Sequence, residues 1–155
     1  PSQRARSSRT EEVLSTLQGF NSAPRNPLML NPDLIGHTFK GESAVQISQE
    51  SINKFAAAVG EKNIDVAPPT FSISITLEQS QKLLQDSGLD WTRVVHGEQK
   101  FEIKRPIIAG DKLTCSSTIE TYRVVAGNEI VTVRSDLNTE SELVVSTWST
   151  LVVRA

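Results

Sequence analysis

The clearest periodic signal spans residues 48–60. Ser48 offers an N-cap, Ile52, Phe55, Ala56 and Val59 recur at i, i+3, i+4 and i+7, and Gly60 stands where a C-cap glycine belongs. This spacing predicts a helix over 49–59. Residues 44–47 read as a short strand ahead of it. From residue 92 the period changes to two. Phe101 and Ile103 alternate with Lys100, Glu102 and Lys104, and Pro106 ends that run. After a turn at Ala109-Gly110-Asp111, Leu113, Cys115, Ser117 and Ile119 share one face of the next strand. Ala126-Gly127-Asn128 reads as a hairpin turn, Val131 and Val133 share a face of the following strand, and residues 138–142 make another turn before a long final strand over 143–153. Helices first and then consecutive long strands predict an α+β domain, with a helix packed on one face of an antiparallel meander.

Residues 68–88 carry two patterns. Phe71, Ile73, Ile75 and Leu77 alternate with Ser72, Ser74 and Thr76, which is strand periodicity. Yet Pro68-Pro69-Thr70 is a helix-start signal with Thr70 as cap, and residues 78–86 are good helix formers that end at Gly88. One solution is a strand running into a helix. The other is a single helix buried at its N-terminal half, with its Ser and Thr residues on a tight helix–sheet contact.

Residues 1–32 differ from the rest. Residues 1–9 are polar and basic and read as a solvated arm. Thr10-Glu11-Glu12 followed by Val13, Leu14 and Leu17 predicts a small helix. Residues 19–32 hold three prolines and read as a connecting loop. The domain is expected to occupy 33–155. The arm's three arginines could touch an acidic partner.

Charge and cysteine content narrow the classes. Across 155 residues, 16 Lys+Arg against 18 Asp+Glu leave a net charge of −2, which favours neither nucleic acid nor an anionic membrane as partner. Apolar runs such as 143–145 and 151–153 are far shorter than the roughly 18–20 residues of a membrane-spanning helix. Residues 1–10 lack the apolar core of a secretory signal, so a soluble cytoplasmic domain is expected. The single cysteine, Cys115, excludes an intramolecular disulfide and a Cys-based zinc site, and its strand parity makes it a small core residue.

Candidate chemistry is sparse. His37 and His96 are the two histidines, and neither has a His or Cys three or four residues away, so no metal site is expected. Either could act as a general base or could sit hydrogen-bonded at a turn or strand end. Glu61 and Asp65 are two carboxylates close together in the polar stretch after the first helix. Glu78, on the next helix, could serve a thioesterase as nucleophile or base. No Gly-x-Ser-x-Gly elbow and no glycine-rich phosphate loop occurs.

The run His96-Gly-Glu-Gln-Lys-Phe-Glu-Ile-Lys-Arg-Pro-Ile-Ile-Ala-Gly-Asp-Lys-Leu113 resembles the MaoC-like dehydratase family, and more narrowly its FAS1-like N-terminal domain. The Asp33-Leu-Ile-Gly-His37 entry, the 48–60 helix and Pro68-Pro69-Thr70-Phe71 resemble that group in position and character. The resemblance covers residues 33–155. It implies a hot-dog fold, in which an antiparallel sheet of about five strands wraps a long central helix, here 70–87. It also implies dimers whose sheets join edge to edge. The reaction implied is reversible hydration of trans-2-enoyl thioesters of coenzyme A or acyl carrier protein to (3R)-hydroxyacyl thioesters, with no metal or redox cofactor.

The sequence departs from the family where the chemistry should be. Active members carry an Asp and a His five residues apart in a Gly-Asp-x-Asn-Pro-x-His pattern after the first helix. Laid on residues 60–66, that pattern matches Gly60 and Asn63, puts Glu61 at the Asp, Ile64 at the Pro and Val66 at the His. Valine has no proton to transfer, so the usual acid–base pair is lost. The chain thus resembles the non-catalytic subunit of actinobacterial (3R)-hydroxyacyl-acyl-carrier-protein dehydratases, which pairs with a catalytic hot-dog subunit. What then remains for substrate binding is the start of the central helix. Thr70 and backbone N–H groups there would meet a thioester carbonyl, and Phe71 and Ile73 would either line an acyl channel or simply pack on the sheet. Rival expectations are an autonomous hydratase using Glu61 or Asp65 as base with His37 or His96 as acid, a thioesterase using Glu78, and a non-enzymatic thioester-binding homodimer.

Overall fold

The structure, a computed structural model, describes residues 30–155. The expected basic arm and the small helix near residue 13 lie outside the described residues. Two α-helices, α1 (Gln49–Val59) and α2 (Ile73–Asp86), precede most of an antiparallel sheet built from β1 (Thr38–Lys40), β2 (Val45–Gln46), β3 (Val94–Ile103), β4 (Lys112–Val125), β5 (Asn128–Asn138) and β6 (Leu143–Val153). The sheet order is β1-β4-β5-β6-β3, with β2 pairing β4 beyond the end of β1. The expected sheet of about five strands is therefore six-stranded. β1 was not foreseen, because three residues are too few to show alternation.

Local chemistry explains the helices. The Ser48 hydroxyl accepts the Ser51 N–H at 3.1 Å and caps α1. Gly60 ends it at φ 75, a conformation that favours glycine. The buried stripe is Ile52 and Ala56, with Phe55 packed beside it. The 68–88 ambiguity resolves as a helix, shorter than the expected 70–87. Thr70 is not its cap. Ser72 holds that position and makes no side-chain capping bond. The alternation that suggested a strand is incidental to a second period, in which Ser72, Thr76 and Ser80 recur every four residues and lead to Leu83 and Leu84. All five are buried. As the helical alternative anticipated, Ser and Thr side chains form the contact of the helix with the sheet.

α2 lies on the inner face of the sheet, the arrangement the resemblance implies. Strand alternation builds that face. Leu113, Cys115, Ser117 and Ile119 of β4 and Val131, Val133, Ser135 and Leu137 of β5 are all buried. Two apolar clusters result. One joins Leu83, Leu84 and Leu89 to Ile119, Val131, Val133, Leu151 and Val153, and Leu30 and Leu34 cover it. The other joins Ile47, Ile52, Ala67 and Phe71 to Ile107, Leu113, Cys115, Leu137, Val144 and Val145. Among the described residues, burial extends back to Leu30. On the outer face Lys100 and Arg134 flank the Trp148 ring at 4.4 and 5.5 Å, and the indole N–H donates to Glu120. β4 and β5 join through a tight turn with Ala126 at φ 49 and Gly127 at φ 80, as the sequence predicts.

Candidate functional site

The motif shared with the family does structural work. Arg105 forks onto Asp111, its Nη1 at 2.8 Å from Oδ2 and its Nη2 at 3.0 Å from Oδ1, and its Nε donates to Glu142 at 2.7 Å. Asp111 also accepts the Ile108 N–H at 3.0 Å, closing the turn, and Gly110 turns at φ 95. Burial pushes the Asp111 carboxyl upward, but the Arg105 fork and the Ile108 N–H outweigh it and hold it below the usual aspartate range. The hydrogen bonds to Asp111 and then to Glu142 raise Arg105. This Arg-Pro…Ala-Gly-Asp turn positions β4 and touches no reacting group.

The loop after α1 is where the family's acid–base pair would stand. The Glu61 carboxylate accepts the Lys62 and Asn63 N–H groups at 2.8 and 2.9 Å, and the Asn63 side chain accepts the Asp65 N–H at 3.0 Å. Residues 61–65 are exposed. Glu61 and Asp65 therefore share one loop, with Glu61 spent on folding it. Among the described residues His96 hydrogen-bonds to neither. His96 is on β3, where a bulge between His96 and Glu98 interrupts the alternation. The bulge places His96 opposite the core residue Leu151, and Gln99 opposite the buried Ser149. Both therefore lie on the inner-face side of the sheet's open edge. His37 follows the short helical turn near the chain's entry to the sheet, and its N–H donates to the Leu34 carbonyl. Glu78 is exposed on α2.

At the start of α2 the proposed binding residues divide. Thr70 is exposed, Ile73 half-buried, and Phe71 buried at 4% exposure. Phe71 packs edge-on against Phe55 with ring centres 5.3 Å apart, so it is a core residue of the second cluster. The expected free N–H groups near Phe71 are partly engaged. Phe71 donates to Pro68, Ile73 to Thr70 and Ser74 to Phe71.

Sequence reasoning missed the most unusual feature. Between the two apolar clusters runs a band of buried hydroxyls. Ser80 donates to the Thr76 carbonyl at 2.8 Å and meets Ser135 at 3.3 Å, and Ser117 meets Ser135 at 2.7 Å. The band continues to Thr147, opposite Ser135, and to Ser149, which donates to Gln99 at 2.7 Å. Ser72 and Thr76, 1% and 0% exposed, have hydroxyls with no partner among the described residues. A buried hydroxyl left unpaired costs about 1–3 kcal/mol. The i, i+4, i+8 spacing of Ser72, Thr76 and Ser80 was the available signal. Cys115 adjoins this band 3.9 Å from Ser117, and burial pushes its thiol up to about 11, so it is not a nucleophile. Among the described residues no cluster of His, Cys, Asp and Glu could hold a metal, and no helix is long and apolar enough to cross a membrane.

Comparison with known proteins decides the lineage. The model of the FAS1-like dehydratase domain region matches residues 33–147. The chain belongs to this family. A UPF0336 protein of Streptomyces coelicolor is 38% identical, covering 83% of this chain and 97% of that protein. One from Thermobifida fusca is 34% identical over 82% of this chain and 95% of that protein. Among solved structures, a C-terminally truncated HadBC (3R-hydroxyacyl-ACP dehydratase) complex from Mycobacterium tuberculosis superposes with a TM-score of 0.72 at 23% identity, covering 79% of this chain and 99% of that one. A MaoC-like dehydratase from Rhodospirillum rubrum gives 0.58 at 20% identity over 81% and 96%. At these identities the structures establish the hot-dog fold of this FAS1-like domain, as the sequence resemblance implied.

Proposed function

We propose that this FAS1-like domain is a non-catalytic hot-dog subunit of a (3R)-hydroxyacyl-thioester dehydratase, acting on acyl-CoA or acyl carrier protein thioesters without metal or redox cofactor. It binds the acyl thioester and assembles with a second hot-dog chain that supplies the acid–base pair. The observation that carries this reading is the loop over residues 60–66. Hydration of a 2,3 double bond needs one group to take a proton from water and one to protonate the substrate carbon. Here the position expected for the histidine is Val66, and the carboxylate of Glu61 is committed to two backbone N–H groups.

Two further features support the reading. β3 is a ten-residue edge strand with no neighbour on its outer side among the described residues, and Val95 and Ile103 on it are exposed. An edge of this kind invites pairing with another chain. The M. tuberculosis structure of similar fold is itself a complex of two differently named subunits. The Ser72 and Thr76 hydroxyls offer two buried donors beside the start of α2, suited to a thioester carbonyl or a 3-hydroxyl group.

The test is binding of a non-hydrolysable 3-hydroxyacyl-CoA analogue to the full chain by calorimetry. Thr76→Val keeps shape and removes the hydroxyl. It should weaken binding about fivefold to fiftyfold, the value of one hydrogen bond to a ligand, with the melting temperature unchanged or raised. Unchanged affinity in Thr76→Val and Ser72→Ala would remove the ligand from this place. A second reading, an autonomous hydratase, draws on one observation: the bulge that turns His96 to the inner-face side at the open edge.

A further inference from the structure

We infer that the outer face of the sheet carries a binding site for the phosphate group of a small phosphomonoester, in a hollow between β1 and β2. The site lies away from the inner face, where the acyl-thioester reading above puts its ligand, and does not rest on that reading.

A mismatch in chain length opens the hollow. Lys40 of β1 pairs with Ser116, and Val45 of β2 pairs with Leu113. The four residues 41–44 therefore stand where β4 has only two, 114 and 115. The surplus cannot lie flat against β4, so the chain leaves the sheet and returns. Gly41 begins the detour. Its N–H donates to the Cys115 carbonyl at 2.7 Å, and a Cβ there would come 3.1 Å from the same oxygen. The acid of the detour, Glu42, is held by Lys82 of α2 at 2.6 Å.

The result is an open hollow of about 370 Å³ lined by Lys40, Gly41, Thr114, Cys115, Ser116 and Asn138, with no carboxylate in that set. Lys40, Ser116 and Asn138 come from three adjacent strands. Among the described residues their side chains have no hydrogen-bond or ionic partner. Lys112 adds a second cation. Alternation puts it on the outer face with Thr114 and Ser116, opposite in parity to the buried Leu113 and Cys115. It stands four residues, about 13 Å, along β4 from Ser116. Asp136 lies across from Ser116, and its Oδ1 accepts from the Arg134 guanidinium and the Ser146 hydroxyl.

This donor set selects the ligand. An ammonium, a hydroxyl and a carboxamide suit an oxyanion with several acceptor oxygens, whereas a planar carboxylate calls for a guanidinium fork. The hollow has the volume of a small-molecule site and exceeds what a bare phosphate fills, so an organic body belongs beside the anion.

The experiment follows amide chemical shifts of the full chain during titration with inorganic phosphate and with ribose 5-phosphate at constant ionic strength. Wild type, Lys40→Gln and Lys54→Gln are compared, the last removing an exposed lysine on α1. Saturable shifts are expected at residues 40, 41, 114–116 and 138. Ribose 5-phosphate should bind about tenfold more tightly than inorganic phosphate. Lys40→Gln should weaken both by about fivefold to tenfold, and Lys54→Gln neither. Shifts that climb without saturating and spread over the surface lysines overturn the site, as does an equal response in the two variants. Equal affinity for the two ligands overturns the phosphomonoester and leaves an adventitious ion only.

Discussion

The turn over residues 105–111 and the loop over 60–66 are equal in length, and the family's motifs single out both. They are held by different chemistry. The 105–111 turn is closed from outside by a guanidinium fork, with Glu142 of the β5–β6 connection as a third point. Its Asp111 is nearly buried, with 9% of the side chain exposed. The 60–66 loop is folded by its own Glu61 and Asn63 side chains in water, with one tie from outside, the Gln49 side chain donating to the Ile64 carbonyl at 2.8 Å. The Arg-Pro…Ala-Gly-Asp turn is intact here, whereas the 60–66 loop, where the sequence resemblance puts an acid–base pair, has Val66 at the position of the histidine. On the proposed function, that difference separates inheritance of the fold from inheritance of the reaction.

The largest effect should come from breaking the clamp. Arg105→Ala leaves a nearly buried carboxylate with the Ile108 N–H but no counter-charge and should lower stability by about 3 kcal/mol in urea unfolding. Arg105→Lys should recover only part of this, because an ammonium cannot fork onto two oxygens.

Acid probes the same clamp more gently. The folded Asp111 carboxyl titrates below its unfolded counterpart. Its stabilisation is therefore complete above the unfolded value of about 3.9 and is lost as pH falls through the lower folded value. The wild-type chain should lose stability over that acid range more steeply than Asp111→Asn, which has no such proton to bind. Parallel curves for the two proteins would mean that the fork contributes nothing.

The smallest effect belongs to the loop. Glu61→Gln keeps an acceptor for the two N–H groups and lies at the surface. It should change stability by less than about 0.5 kcal/mol. In a complex with a catalytic hot-dog chain it should leave the turnover rate unchanged.

Much of this architecture was readable from side-chain periodicity. α1 has caps at both ends and a clean apolar stripe, and β6 runs over the residues that the sequence suggests. α2 was ambiguous because its buried face is made of Ser72, Thr76 and Ser80, while Ile73, Ile75 and Leu77 sit half-buried at its flanks. Hydrophobic pattern cannot select a polar face, and the family resemblance decided the matter. In the candidate site, Val66 in place of histidine is visible in the sequence alone. The hydroxyl band is not, because Ser117, Ser135 and Thr147 become neighbours only through strand register. Nor is the inward turn of His96, since one bulge reverses the parity of everything before it. The burial of Leu30 and Asn31 is not legible because residues 19–32 read as a loop.

On the proposed function this chain binds acyl thioesters but does not carry out their hydration. The most direct test is hydration of trans-2-enoyl-CoA by the purified full chain, followed by loss of the conjugated thioester absorbance. Glu61→Gln, Asp65→Asn and His96→Ala are measured beside it, then the wild type with a hot-dog chain carrying the Asp and His. The folded chain alone should give no turnover, and adding the catalytic chain should give turnover beyond what that chain gives by itself. Turnover by the chain alone, abolished in one of the three variants, would contradict this reading and would name the acid or base that replaces the missing pair.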